Sequence, residues 1–238
     1  MINTFKIFVD FDGTITKTDV GEHLFLEFGD AEKCKLIVQD WIDKKITSKD
    51  TWQLMCKTIE NPDIEKMNSF LDTIEVDESF FPFVKNFRDA GSEINILSDG
   101  LDYYIAHIVK KKFTEDVSIY SNNLEFIDNK MIPNFPYGDE ECKLCANCKR
   151  NHILNLSSDD DFTVYIGDGY SDTCPAQFCD FIFAKNSLLK YCEINRITYF
   201  PYNDFDDVSK KLNELGSKKR LKKRHQATLK RKEVYSQG

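Results

Sequence analysis

No apolar stretch in the 238 residues is long enough to span a bilayer. The opening Met1-Ile2-Asn3-Thr4-Phe5-Lys6 has no basic segment leading into a long apolar one, so no secretory signal is expected. The expected compartment is therefore a reducing, cytoplasmic one. There the eight cysteines are thiols or metal ligands rather than disulfides. Histidine is scarce: His23, His107, His152 and His225 are isolated and read as structural or solvated, and none is paired with a cysteine. That argues against a cysteine nucleophile. There is no internal repeat, and no low-complexity stretch outside the C-terminal tail.

What is present is enough for one α/β domain with an insertion. A chain of this length buries roughly 70–75% of its unfolded surface, so the core needs no staples. The 19 phenylalanines are best used in that core. Charge is unevenly placed. Residues 217–238 carry nine Lys/Arg against one acid, Glu233, while the other residues carry 23 basic and 39 acidic side chains. A body at −16 with a tail at +8 is not the profile of a fold that grips nucleic acid. Any such contact would run through the tail. The tail itself reads as a solvated, disordered end; the alternatives are a nuclear address or a contact with an anionic surface.

Short apolar runs recur, each with a polar or glycine stop: Phe5–Val9 before Asp10, Ile94–Leu97 before Ser98, Phe162–Ile166 before Gly167, Phe181–Ala184 before Lys185, and Ile197–Phe200 before Pro201. Helical patterns lie between them at Phe83–Ala90 (closed by Gly91), Tyr103–Lys112 and Arg150–Leu156. A hairpin is expected over Leu124–Ile132, turning at Asp128-Asn129. The alternation predicts an α/β fold, a Rossmann-like parallel sheet covered on both faces. Ligands bind beyond the carboxyl ends of such strands, where the polar stops lie. Residues 17–81 break the alternation with helically spaced Leu24, Phe25, Phe28, Ile37, Trp41 and Ile42. The expected organisation is a core of 1–16 and 82–216, a helical cap at 17–81, and the tail at 217–238.

The chemistry concentrates in Asp10-Phe11-Asp12-Gly13-Thr14. Phosphate-monoester hydrolysis needs a nucleophile, an acid for the leaving alcohol, and positive charge for the phosphoryl oxygens. Asp10 is read as the nucleophile. Asp12 lies on the same side of an extended strand end and serves as acid and then base. Gly13 permits the turn. Thr14 can bond a phosphate oxygen or the loop backbone. Ser98, with the amides of Asp99 and Gly100, offers further donors to phosphate. Lys149 can pair with the phosphoryl group and with Asp10; Lys143 and Arg150 compete for that role. Gathering Asp10, Asp12, Asp168 and Asp172 is costly: two like charges about 4 Å apart repel by roughly 4 kcal/mol at an effective dielectric of 20. A hard cation, Mg²⁺, relieves that repulsion, held by Asp10 and Asp168 side chains and the Asp12 carbonyl. Asp172 then orients a metal-bound water or Lys149. Each segment alone also reads as an ordinary turn; their order, each after a strand, is what carries the reading.

That set resembles the haloacid dehalogenase (HAD) phosphatases, whose four motifs would be Asp10–Thr14, Ser98, Lys149 and Asp168 with Asp172. The helical segment resembles the small cap of the phosphoserine-phosphatase-like class. Gly167–Pro175, with the cysteines at 142, 145 and 148, is similar to the branch acting on phosphoethanolamine, phosphocholine and pyridoxal phosphate, and to the methionine-salvage methylthiopentenyl-phosphate phosphatase. The resemblance implies that the lysine after the last cysteine, Lys149, is the invariant one. Some vertebrate members carry Glu at the position of Gly13, and substrates differ within the branch.

Cys142, Cys145 and Cys148 have C-x₂-C-x₂-C spacing, which suits structural Zn²⁺ if His152, Cys174 or Cys179 completes the set; the alternative is reduced thiols packing a loop. Asp19 and Glu22 lead into the cap and are read either as recognising an ammonium or hydroxyl of the substrate or as acids favoured at a helix N-terminus. The expectation is a Mg²⁺-dependent phosphatase of a small phosphorylated metabolite. The rivals are a phosphomutase or phosphotransferase on the same fold, and a non-catalytic binding protein using the tail.

Overall fold

Strand β1 (Lys6–Val9) places three apolar residues in succession, and Ile7, Phe8 and Val9 are all fully buried. Such a run fits only a central strand covered on both faces. In the computed structural model, which describes residues 3–113 and 117–237, β1 pairs in parallel with β2 (Glu93–Leu101) on one side and β5 (Thr163–Gly167) on the other. Strands β3 (Ser118–Ile127), β4 (Lys130–Asn134), β6 (Phe181–Ala184) and β7 (Phe200–Pro201) complete the order β4-β3-β2-β1-β5-β6-β7. Only β4 runs antiparallel. Its hairpin turns at Asp128 and Asn129, both at positive φ, as a two-residue primed turn requires. The chain departs in opposite directions on the two sides of β1, so the end of β1 is the crevice where such sheets bind ligands.

Helices α1 (Val20–Phe28), α2 (Ala31–Ile42), α3 (Ser48–Cys56) and α4 (Ile64–Leu71) fill the segment between β1 and α5 (Phe80–Asp89). Each of the four begins with an oxygen-bearing cap: Asp19, Asp30, Thr47 and Asp63 accept backbone N–H bonds from the first turn. The chain enters and leaves this helical unit through a single pairing of Thr16 with Val76. Helices α6 (Asp102–Lys112), α7 (Lys149–Leu156), α8 (Asn186–Ile194) and α9 (Phe205–Gly216) cover the sheet. The phenylalanines do pack the core: Phe80 meets Phe205 at 4.8 Å and Phe83 meets Phe205 at 5.1 Å between ring centroids.

Two expectations are corrected. The run expected at Ile197–Phe200 forms a strand only at Phe200–Pro201, because Arg196 turns with φ +55° and Ile197 is buried in the small second core instead. Pro201 lacks an N–H but sits on the edge strand, where none is needed.

The tail is not a disordered end. Residues 225–237 form helix α10 (His225–Gln237), and Arg231 is buried. Its guanidinium donates to the Phe178 carbonyl at 2.5 Å and pairs with Asp180 at 3.3 Å. The same carboxylate accepts the Arg224 N–H, and Arg224 donates to the Ala176 carbonyl at 2.6 Å. Asp180, buried at the foot of β6, takes this countercharge from the tail.

Arg231→Ala should therefore destabilise by about 3–5 kcal/mol, the cost of leaving one partner of a buried pair without the other. Lys219→Ala, in the exposed basic run, should change stability by less than about 0.5 kcal/mol. Urea midpoints of the two variants test this, and equal midpoints would return the tail to a solvated role.

Candidate active site

β1 and β5 end just before Asp10 and Asp168, β2 carries Ser98 where its pairing with β3 shifts register, and α7 supplies Lys149 as its first residue, so the four meet at one place. Lys149 Nζ donates to Asp10 Oδ1 at 2.5 Å, to Asp172 Oδ1 at 2.7 Å and to Ser171 Oγ at 3.2 Å. Burial opposes its charge, but Asp10 and Asp172 outweigh burial and hold the ammonium firmly protonated. Of the three cations weighed, Lys149 alone reaches Asp10: Lys143 is exposed, and Arg150 pairs with Asp139 at 2.8 Å.

Asp172 is fully buried. Its Oδ1 also accepts the Tyr165 hydroxyl at 2.6 Å, and its Oδ2 accepts the N–H groups of Asp168 and Gly169 at 2.9 and 3.0 Å. Those donors occupy both oxygens, so the carboxylate is committed to holding Lys149 and the loop. Asp168 accepts the Thr14 hydroxyl at 3.3 Å and the Asn186 amide at 3.1 Å. Burial, and next the neighbouring Asp172, raise its carboxyl to about 6. Gly13 lets the two loops meet: its φ is +70°, and a Cβ there would stand 2.7 Å from Asp168 Oδ2.

Asp12 Oδ1 accepts the Val20 N–H at 3.0 Å, while Oδ2 accepts Ser98 Oγ at 3.2 Å and the Tyr104 hydroxyl at 2.9 Å. Burial, with Asp19 next, raises its carboxyl to about 7 despite these three donors. A carboxyl in that range can give and take a proton near neutral pH. One oxygen each from Asp10, Asp168 and Asp172 lies within 4.8 Å of the others. With Asp172 committed elsewhere, Asp10 and Asp168 remain for a cation. An all-oxygen donor set suits a hard divalent ion. Burial and the crowded carboxylates push the proton affinity of Asp10 up, which marks a place short of positive charge.

Several expected donors are already engaged. The Thr14 hydroxyl serves Asp168, the Ser98 hydroxyl serves Asp12, and the Gly100 amide donates to Ser98 Oγ at 2.9 Å. Asp99 accepts the Asn147 N–H at 2.7 Å and the Ser48 hydroxyl, tying α3 of the helical unit to β2. Asp19 caps α1 by accepting the Glu22 N–H at 2.8 Å, and both acids line the cavity. That cavity, about 390 Å³, has Asp10, Asp12 and Asp168 on its floor and Trp41, Ile42 and Trp52 on its wall. Trp41 of α2 meets Tyr170 of the core edge-on, 6.4 Å between ring centroids.

The zinc reading finds no support. Among the described residues, the cysteine sulfurs do not gather as a ligand group. His152 is not free either. Its Nε2 meets Asn147 Oδ1 at 2.7 Å, and its ring lies 4.5 Å from Tyr120 and 4.8 Å from Tyr137. Asn147 Nδ2 donates to the carbonyls of Ser98 and Tyr120, so its Oδ1 is the acceptor and the proton sits on His152 Nε2.

Sequence reasoning missed Tyr104, Tyr165, Asn147 and Asn186. Asn186 alone carried a signal, as the polar stop after β6. The two tyrosines read as core aromatics, and Asn147 was hidden among cysteines.

Comparison with known proteins places this geometry. A family model described as putative phosphatase matches residues 5–196. A 2-hydroxy-3-keto-5-methylthiopentenyl-1-phosphate phosphatase of Bacillus cereus (strain ATCC 14579) is 28% identical over 216 residues, covering 88% of this chain and 96% of the relative. One of Bacillus pumilus (strain SAFR-032) is 30% identical over 209 residues, covering 87% and 90%. Among solved structures, a phosphoserine phosphatase holding a phospho-aspartyl intermediate analogue matches with TM-score 0.68 at 19% identity, covering 88% of this chain and 99% of that one. At that identity the likeness speaks for the fold.

His152 yields a pH prediction. Burial lowers its ring from the ordinary 6.5 to about 4, so the folded protein refuses a proton that the unfolded chain accepts. The stability this residue contributes is present above pH 6.5 and lost as pH falls toward 4. The unfolding free energy of His152→Phe should fall less steeply over that window than that of the parent protein. Parallel curves would remove His152 from the acid response.

Proposed function

This chain belongs to the putative phosphatase family and is a phosphomonoester hydrolase of the HAD fold; on that premise we propose that it cleaves a small-metabolite phosphomonoester through an aspartyl-phosphate on Asp10, with Mg²⁺ as cofactor. The observation that carries the reading is Asp10 on the cavity floor, paired with Lys149 and two residues from an acid raised to about 7.

In the first step a carboxylate oxygen of Asp10 attacks phosphorus. The ester P–O bond breaks, and its electron pair leaves on the alcohol oxygen, which takes the proton from the Asp12 carboxyl. In the second, water attacks phosphorus and gives its proton to Asp12; the bond to Asp10 breaks and inorganic phosphate departs. Lys149 holds Asp10 in place and offers positive charge to the phosphoryl oxygens. Asp10, Asp168 and the Asp12 carbonyl are the residues that would hold Mg²⁺, which when bound supplies further positive charge at the phosphoryl group.

Residues 17–81 serve as the lid over the core of 1–16 and 82–216. A cavity of about 390 Å³ is of metabolite size. Among the described residues its one lining lysine, Lys17, is paired with Glu75 at 2.9 Å, whereas Asp19 and Glu22 line the space together with Trp41, Trp52 and Tyr170. Acids and aromatic faces together favour an amine-bearing substrate and disfavour a carboxylate.

Asp10→Asn should abolish phosphate release while leaving the fold intact, and chelation should stop the parent enzyme until Mg²⁺ is restored. Substantial turnover by pure Asp10→Asn protein would sink the covalent route, and full activity in chelator would sink the metal.

Asp19→Asn separates recognition from structure, because asparagine caps a helix as well as aspartate does. It should raise KM for phosphoethanolamine on the order of tenfold, one charge-assisted bond of about 1.5 kcal/mol. KM for glycerol phosphate should move little. Equal effects on both substrates would leave Asp19 as a cap and nothing more.

A further inference from the structure

Tyr104 has a hydroxyl that packing alone does not explain. The residue is 1% exposed, in the first turn of α6, with its ring 6.5 Å from that of Phe11. A phenylalanine would fill the same space. Burying a hydroxyl is costly unless it is bonded, and this one donates to Asp12 Oδ2 at 2.9 Å. Its neighbour Tyr103 points elsewhere, to Asn68 Oδ1 at 2.9 Å.

The slot for that hydroxyl is left open by Gly100. A Cβ on Gly100, near the end of β2, would fall 1.7 Å from the phenol oxygen, whereas a Cβ on Gly21, in α1, would meet Trp52 first, at 2.7 Å, and the phenol oxygen at 3.2 Å. Neither glycine has the positive φ that would otherwise call for it. Gly100 is a glycine because the phenol passes there. A strand that gives up a side chain to let one oxygen pass, aimed at the carboxyl two residues from Asp10, makes a device for holding that carboxyl.

We infer that Tyr104 is a positioning residue for proton transfer: its O–H pins Asp12 Oδ2, so that the carboxyl faces the departing alcohol. The inference rests on the reading of Asp12 as the acid. The Ser98 hydroxyl shares the same oxygen at a longer 3.2 Å, and the Val20 N–H holds the other, so without the phenol the carboxyl keeps two of three donors and gains freedom to turn.

Proton delivery matters most for poor leaving groups, which supplies the test. Substituted phenyl phosphates from p-nitrophenyl to p-methoxyphenyl are compared in Mg²⁺ for the parent enzyme, Tyr104→Phe and Asp12→Asn. Tyr104→Phe should lower kcat/KM, which reports ester cleavage and not hydrolysis of the aspartyl-phosphate, for the p-methoxyphenyl ester on the order of tenfold, the scale of one hydrogen bond to a charged group. It should leave kcat/KM for the p-nitrophenyl ester within about twofold, since acid catalysis contributes little when the leaving group needs no proton. Asp12→Asn should show the same tilt, larger. A uniform loss across the series, or none, in Tyr104→Phe while Asp12→Asn keeps its tilt would overturn the positioning role alone. A flat series for Asp12→Asn would overturn the acid itself, and the role of Tyr104 with it.

Discussion

Everything at this site depends on keeping buried carboxylates together. Asp10, Asp12, Asp168 and Asp172 converge at the ends of the central strands, and the mechanism proposed above uses them as nucleophile, acid and cation seat. Electrostatics opposes the gathering by roughly 4 kcal/mol for each close pair at an effective dielectric of 20. The fold answers with one fully sequestered ammonium, Lys149, and a shell of neutral donors. Asp172 takes two backbone N–H groups and a phenol; Asp12 takes one N–H group and two hydroxyls; Asp168 takes a hydroxyl and an amide. That shell explains why donors expected to face a phosphate are turned toward acids. Even so, Asp12 and Asp168 stay raised to about 7 and 6, so the compensation is incomplete. A cation fits the shortfall.

The parts of this design that were readable in the sequence are those whose signal is local. A strand that ends in Asp10-Phe11-Asp12-Gly13 declares itself by its apolar run and its glycine, and Ser98 and Asp168 do the same at the ends of β2 and β5. What was not readable depends on distant partners. The basic tail reads as solvated because nothing in its composition announces that Arg231 will meet Asp180, 51 residues away. The cysteine triplet leaves a metal site and packing thiols both open because spacing is visible and burial is not. Tyr104 reads as a core aromatic because a hydroxyl's partner cannot be told from helical periodicity.

The tail shows how one buried acid recruits structure. Asp180 Oδ2 closes the turn into β6 by accepting the Thr163 N–H and hydroxyl at 3.1 and 3.0 Å, which leaves Oδ1 to be neutralised. Arg231 and the Arg224 N–H supply that, and the guanidinium of Arg231 also bonds the Phe178 carbonyl. The segment they secure, 175–180, follows directly on the loop that holds Asp168 and Asp172. The tail thus braces the far side of the loop that Lys149 holds from within.

The helical unit and the acid are not independent. Val20 opens α1, and its N–H donates to Asp12 Oδ1. The first turn of the helical unit therefore fixes one oxygen of the carboxyl proposed to move the proton. At its other end the unit is latched through Ser48, whose N–H donates to the Leu144 carbonyl at 3.1 Å and whose hydroxyl donates to Asp99. A displacement of α1 large enough to open the cavity at that edge would remove the Val20 bond. On the proposed mechanism, the arrangement that closes the cavity is then also the one that aims the proton, so enclosure and acid catalysis would share a single conformation.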